Sequence, residues 1–186
     1  MGRIVVSEFV SLDGVMEAPG GEPGYPHTGW TIPHHGPGLL AAKLRETLDA
    51  EALLLGRVTY ESFAGAWPTR DGEFADKMNA MPKHVVTATA TDLEWNNSRA
   101  LAGPVEQSVP ALRDGIDGEL LVVGSRTLVH ALLAADLVDE LRLAVFPVVL
   151  GSGARVFPDS PDPIALELVD TRRLETGIVE LTYRRG

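Results

Sequence analysis

Apolar residues fall along this chain in two rhythms. In the first half and the middle they come as short unbroken runs. Ile4, Val5 and Val6 lie at the start of a run over residues 3–10. Ala52, Leu53, Leu54 and Leu55 form a second run that ends at Gly56. Leu120, Leu121, Val122 and Val123 form a third that ends at Gly124, and Val85 to Thr87 is a further β-prone piece. Short apolar runs bounded by glycine read as strands, and the lack of polar alternation predicts burial on both faces. Between these runs the period lengthens. Leu40, Leu44 and Leu48 recur at i, i+4 and i+8, which predicts a helix with one apolar stripe and with Lys43, Arg45 and Glu46 elsewhere. Leu128, Leu132 and Ala135 predict another helix, with Ser125 placed to cap it. Ser108 ahead of Pro110 marks a further helix start. Buried strands separated by helices predict an α/β fold with a mainly parallel sheet covered on both faces.

The last third has a different rhythm. Leu141, Leu143 and Val145 alternate with polar or small residues. Residues 164–174 and 178–184 flank Glu175, Thr176 and Gly177, which predicts a terminal antiparallel hairpin with Val179, Leu181 and Tyr183 on one side. Residues 11–36 fit neither rhythm. They hold six glycines and four prolines among 26 residues, an irregular stretch long enough to suggest that it covers a site.

At 186 residues, with no linker or low-complexity tract, the chain reads as one domain, residues 1–186. The absence of cysteine excludes a disulfide-built scaffold, a thiolate zinc centre, an iron–sulfur cluster and a cysteine nucleophile. A formal charge of −10 argues against a nucleic-acid partner but not against a small anionic ligand. No apolar run approaches the length of a membrane span and no signal-peptide pattern opens the chain, so the expectation is a cytoplasmic protein without a membrane partner.

Two segments share one layout. Leu53-Leu54-Leu55-Gly56-Arg57-Val58-Thr59 and Leu121-Val122-Val123-Gly124-Ser125-Arg126-Thr127 each run from a buried strand through glycine to hydroxyl and guanidinium groups at a helix start. Free N–H groups at a helix N-terminus and the helix dipole favour an anion, and Arg57 or Arg126 would add charge-assisted bonds. Neither segment is G-x-G-x-x-G or a P-loop. Taken singly, each is also what an ordinary strand-to-helix turn looks like.

The order of the segments adds to this. Ser11-Leu12-Asp13-Gly14, Gly56-Arg57-Val58-Thr59-Tyr60-Glu61, Met81-Pro82-Lys83-His84-Val85-Val86-Thr87, Leu121-Val122-Val123-Gly124-Ser125 and Phe146-Pro147-Val148-Val149-Leu150-Gly151-Ser152-Gly153 occur in sequence across residues 3–185. Together they resemble the dihydrofolate reductase superfamily, and within it the branch of the riboflavin-biosynthesis reductase, the RibD C-terminal domain. The resemblance implies a dihydrofolate reductase-like three-layer sandwich, a mostly parallel central sheet with a C-terminal antiparallel hairpin. It implies an NADPH-dependent oxidoreductase, a small heterocyclic substrate and a homodimer. Arg57 would meet the 2′-phosphate of NADPH. Thr59, Gly124 and Ser125 would hold the pyrophosphate, Gly56 would also bind the cofactor, Thr87 would lie on the adenosine side, and Gly14, Val15 and Met16 would line the nicotinamide.

Trp30-Thr31-Ile32-Pro33 resembles the W-x-L-P element of dihydrofolate reductases, which place a carboxylate two residues after the proline. Here that position is His35. The implied substrate is therefore another pyrimidine- or pteridine-like heterocycle, resembling that of 5-amino-6-(5-phosphoribosylamino)uracil reductase. Trp30 and Tyr60 are expected to bind it. Asp13 and His35 are the expected catalytic residues, with Asp13 equally readable as the turn residue that fixes Gly14. The histidines and carboxylates of residues 11–36 fit no metal-ligand spacing, so no metal is expected. The alternative reading is a dinucleotide- or heterocycle-binding protein without turnover.

Overall fold

The structure is a computed structural model, and it describes residues 2–89, 92–159 and 162–185. Eight strands form one sheet. They are β1 (Arg3–Ser11), β2 (Ala50–Gly56), β3 (Lys83–Val86), β4 (Ser98–Leu101), β5 (Glu119–Val123), β6 (Glu140–Phe146), β7 (Leu166–Arg173) and β8 (Val179–Arg185). Their order across the sheet is β4-β3-β2-β5-β1-β6-β8-β7. The first six are parallel, whereas β8 runs antiparallel to β6 and β7 antiparallel to β8. The expected parallel sheet with a terminal hairpin is what forms.

Five helices cover it, α1 (Pro37–Asp49), α2 (Arg57–Ala66), α3 (Glu73–Ala80), α4 (Val105–Asp114) and α5 (Arg126–Ala134). Because side chains alternate along a strand, each central strand supplies both cores. Ile4, Val6, Leu54, Leu120 and Val122 pack with Val109 of α4 and with Leu128, Val129 and Leu132 of α5. Val5, Leu53, Leu55, Val85 and Leu121 pack with Tyr60 and Phe63 of α2 and Met78 of α3 on the opposite face. This is the physical reason those strands carry no polar alternation. A third cluster joins the long loop to the hairpin, with Trp30 and Leu39 against Phe146, Leu174 and Ile178.

Several local expectations are corrected. α1 exists, but Leu40 (61% exposed) and Leu48 (41%) stay exposed while Leu39 and Thr47 are buried, with Lys43 and Glu46 half-buried beside them. The helix is rotated because its polar side faces a cleft rather than a core. α4 begins after Pro104, three residues ahead of Ser108, and carries Pro110 inside it. Ser125 stands at the N-cap of α5 in the left-handed region (φ 57°, ψ 41°) and makes no capping bond, since its hydroxyl is engaged elsewhere. The short strand β4 lies in a stretch with no apolar run. Lys83 is fully buried at the start of β3, where Nζ donates to the carbonyls of Asn79 (2.7 Å) and Asn96 (2.9 Å) over the Trp95 ring. Desolvation lowers its pKa to about 8.

Candidate functional site

In an open α/β sheet, ligands bind beyond the carboxyl ends of the parallel strands. Here β1, β2 and β5 end at a cleft of about 1280 Å³. Its walls come from β1, α1, the first turns of α2 and α5, and residues of the long loop.

The two glycine turns stand side by side at its back. Gly56 N–H donates to Ser125 Oγ at 2.9 Å, and Ser125 N–H donates to Thr59 Oγ1 at 2.8 Å. Gly124 N–H donates to Glu8 Oε2 at 3.0 Å. Three amide donors of the expected cofactor site, those of Gly56, Gly124 and Ser125, are thus engaged within the protein. Gly124 has φ +57°, and a Cβ there would stand 3.0 Å from Thr59 Oγ1, so only glycine brings the turns this close. The donors still turned outward belong to the helices themselves. The first N–H groups of α2 and α5 have no intrahelical acceptor. Arg57, Val58 and Thr59 of α2 and Arg126, Thr127 and Leu128 of α5 all border the cleft. Both helix dipoles therefore point their positive ends at one space, flanked by two guanidinium groups. The Arg57 guanidinium is about half exposed and donates to Glu61 at 2.7 Å.

The front of the cleft lies between β1 and α1. Lys43 Nζ donates to Ser7 Oγ (2.9 Å) and to both oxygens of Glu46 (3.1 and 3.0 Å). Ser7 Oγ donates in turn to Glu46 Oε2 at 2.7 Å. Lys43 also stands over the Phe9 ring, with Nζ 5.3 Å from its centre. Leu39, Thr47 and His35 complete this wall, and Trp67 and Arg70 close the far side with the guanidinium stacked 4.7 Å from the indole ring. His35 Nε2 lies 3.3 Å from Thr31 Oγ1. Glu8, on the same strand as Ser7, is 4% exposed, and burial pushes its carboxyl well above the ordinary carboxylate range.

The long loop does reach the site, as Met16, Glu17, Tyr25, Thr31 and His35 line it. Its start is clasped to residues 148–156. Asp13 accepts from Ser11 Oγ (2.7 Å) and from the N–H groups of Leu150 (3.1 Å) and Gly151 (2.8 Å), while Arg155 donates to its carbonyl oxygen. These bonds, that from Ser11 foremost, hold the Asp13 pKa at about 2. Gly14 (φ +83°) makes the turn, and Val15 is buried and bridged to Arg155. Gly153 allows the approach, because a Cβ there would lie 2.7 Å from Val15 Cγ1.

Of the expected site residues, the cleft thus gathers Met16, Gly56, Arg57, Thr59, Gly124, Ser125 and His35. The others stand outside its walls. Asp13, Gly14 and Val15 form the clasp, which favours the turn reading of Asp13. Trp30 is buried against Phe146 and donates from Nε1 to the Glu17 carbonyl at 2.8 Å, so it anchors the loop. Tyr60 is a core residue whose hydroxyl accepts from Trp95 N–H at 3.0 Å. Thr87 lies just past β3, where its hydroxyl accepts from Thr89 N–H at 3.3 Å. Glu8, Lys43, Glu46 and Thr47 were missed. A glutamate inside a β-branched run was the available signal, since buried charge is the informative exception.

Comparison with known proteins agrees with this architecture. The chain matches the RibD C-terminal domain over residues 3–180. It is 26% identical to the uncharacterized protein YyaP of Bacillus subtilis, covering 97% of this chain and 94% of that one. A protein assigned to riboflavin biosynthesis from Shewanella sp. PV-4 superposes with a TM-score of 0.77 at 20% identity over 99% of both chains. A pyrimidine reductase-like protein of Corynebacterium diphtheriae follows at 0.70 and 10% identity, over 99% of this chain and 92% of that one. Dihydrofolate reductase of Enterococcus faecalis, complexed with NADP(H), superposes at 0.65 and 19% identity, over 99% and 96%. The dihydrofolate reductase-like fold is therefore the one expected. No helix among the described residues is long and apolar enough to cross a membrane. With nearly its whole length matched, the chain belongs to the RibD C-terminal domain family.

Proposed function

We propose that this protein is an NADPH-dependent reductase of a pyrimidine- or pteridine-like heterocycle, similar in reaction to 5-amino-6-(5-phosphoribosylamino)uracil reductase. One observation carries the reading. Two helix N-termini, each with its arginine, open on the same cleft as a half-buried lysine–carboxylate pair beside an aromatic ring. The first half suits a dinucleotide's phosphates and the second a flat polar ring. The cleft exceeds the roughly 300–1,000 Å³ of a single-ligand pocket, as two ligands side by side require.

NADPH would supply the hydride. The chain's part is placement and exclusion of water. Arg57 would read the 2′-phosphate after releasing Glu61. The first turns of α2 and α5, with Thr59 and Thr127, would take the pyrophosphate. Phe9 and Leu39 would bound the ring, and Lys43 with Glu46 would present a donor beside an acceptor to its polar edge. His35, in the loop that roofs this half, is the candidate to move a proton. Asp13 acts here as a positioning residue that fixes the loop. The reading includes a cytoplasmic homodimer, for which the exposed Leu168 and Val169 on the outermost strand offer apolar surface. Sedimentation velocity tests the dimer.

Calorimetric titration with NADPH and with NADH tests the cofactor. Micromolar binding that prefers NADPH supports the proposal, and binding of neither by the folded protein sinks it. NADPH oxidation with a panel of pyrimidines and pteridines then tests turnover. The histidine at position 35 in place of a carboxylate favours, as second reading, a protein that binds such ligands without reducing them. Saturable binding with no oxidation across the panel would select it.

A further inference from the structure

Glu8 stands out among the buried groups because half of its carboxyl has no partner. It projects from β1, a strand that is otherwise apolar or hydroxyl-bearing over Ile4–Ser11. Oε2 accepts from Gly124 N–H at 3.0 Å, whereas Oε1 is buried with no hydrogen-bond partner among the described residues. The residue borders the cleft at the turn that joins β5 to α5. An ionised carboxylate with one naked buried oxygen is costly. It would also repel any phosphate drawn in by the two helix dipoles. Protonated, the same side chain accepts on one oxygen and donates from the other.

We propose that Glu8 is a neutral carboxyl of the cofactor site, whose Oε1–H donates a hydrogen bond to a phosphate oxygen of the bound dinucleotide. This rests on the NADPH reading and adds a donor to it that the glycine turns cannot supply. Gly124 N–H holds the acid by Oε2, which leaves Oε1 as the oxygen without a partner among the described residues, beside the turn that joins β5 to α5. The hydrogen-bond pattern thus makes Gly124 act through Glu8 rather than by touching phosphate itself. The raised carboxyl pKa fits this geometry, burial outweighing the lowering effects of Gly124 N–H and Lys43.

The proposal makes cofactor affinity depend on a proton. Lys43 of α1 acts on Glu8 through its charge, and the other charged and titratable groups bordering the same cleft are Glu46 of α1, Arg57 of α2, Arg70, Arg126 of α5, and Glu17, Glu22, Tyr25 and His35 of the loop. The 2′-phosphate ionises near pH 6, with the opposite sign, since its dianion binds Arg57 more tightly. The Glu8 contribution is therefore the difference between the protein and Glu8→Gln, whose amide carries a donor and an acceptor at every pH.

Two measurements test it. In the ligand-free protein, carbon NMR of the Glu8 carboxyl, assigned through bonds to its own backbone, needs no variant and no cofactor. A carboxyl that stays protonated at neutral pH is expected, and one that titrates in the ordinary glutamate range overturns the proposal. Calorimetric titration with NADPH between about pH 6 and about pH 9 follows. Relative to Glu8→Gln, affinity should fall by about tenfold for each pH unit above the Glu8 midpoint, with proton uptake on binding. Parallel pH profiles for the two proteins overturn it. A protonated Glu8 with no NADPH binding at any pH overturns the cofactor reading, and with it the phosphate assigned to Oε1.

Discussion

The hydroxyl of Ser125 accepts a hydrogen bond from the backbone N–H of Gly56 at 2.9 Å, joining two turns that are 69 residues apart. It does so because Ser125 adopts the left-handed conformation that a cap residue does not. Replacing Ser125 by Ala removes the acceptor and leaves the Gly56 N–H without a partner. Unfolding in urea should show a loss of about 1–3 kcal/mol. NADPH affinity should fall as well, because the first turns of α2 and α5 lose their common tie. Stability equal to the parent's would show that water replaces the hydroxyl.

Arg57 is held by Glu61 at 2.7 Å, a pair separated by one helical turn and open to solvent. Pairs of that kind contribute little to stability, so Arg57→Ala should unfold within about 0.5 kcal/mol of the parent. Its effect should appear in binding. Losing a charge-assisted bond to a phosphate costs on the order of 1.5–3 kcal/mol. NADPH should therefore weaken by that amount while NADH changes little. Equal weakening of both would remove Arg57 from the 2′-phosphate.

At the other end of the parallel strands, where β1, β5 and β6 begin, Glu140 is buried among cations. Arg3 Nη1 (2.9 Å), Arg142 Nε (2.6 Å) and Arg184 Nη2 (2.9 Å) all reach its carboxylate, and Arg142 also reaches Glu119 at 3.0 Å. Burial alone would raise its pKa, but the charge and hydrogen bonds of Arg142, with help from Arg184 and Arg3, more than reverse this and lower it. A depressed carboxylate stabilises the fold above its unfolded pKa of about 4.3, and that contribution is lost as pH falls through the folded value. Glu140→Ala leaves Arg142 without its nearest anion and should cost on the order of 3 kcal/mol at neutral pH. The deficit relative to the parent should shrink in acid, as thermal unfolding at several pH values would show. A deficit that does not vary with pH would mean the cost is packing rather than charge.

How far the sequence was legible depended on which force placed each residue. The runs around Val5, Leu54 and Val122 announced buried strands because burial on two faces leaves no room for polar alternation. Gly56 and Gly124 announced the turns because a close approach excludes a side chain. α1 misled for the opposite reason. Its stripe at Leu40 and Leu48 obeys helical periodicity yet stays exposed, since a cleft-lining helix buries Leu39 and Thr47 and turns Lys43 and Glu46 toward the cleft. Local rules are expected to break at such sites. Glu8 and Ser7 looked like ordinary strand residues because their partners, Gly124 and Lys43, lie 116 and 36 residues away. Asp13 was conspicuous, but the motif that singled it out does not distinguish a clasp from a catalytic acid. The loop's path favours the clasp.

Asp13 offers the clearest test of the clasp. Its carboxylate spans three donors, Ser11 Oγ and the N–H groups of Leu150 and Gly151, and its pKa of about 2 reflects them in that order. The sign follows from the depression. Above the unfolded value near 3.9 the ionised clasp contributes in full, and it is lost only as pH falls through about 2. The loop should hence stay docked through mild acid. Asp13→Asn keeps the shape but replaces one acceptor oxygen with an NH₂ that faces a backbone donor. Because the group is open to solvent, global stability should change little. The effect should be local, since loops open at far lower free energy than cores. Amide exchange at Met16 and Leu150 should accelerate, while exchange in β1 and β5 stays as slow as in the parent. NADPH turnover, once a substrate is in hand, should fall through a looser roof over His35 rather than through loss of a proton donor, so the pH profile should keep its shape. A profile that loses a limb in Asp13→Asn would restore Asp13 to the chemistry and unseat the clasp as its main role.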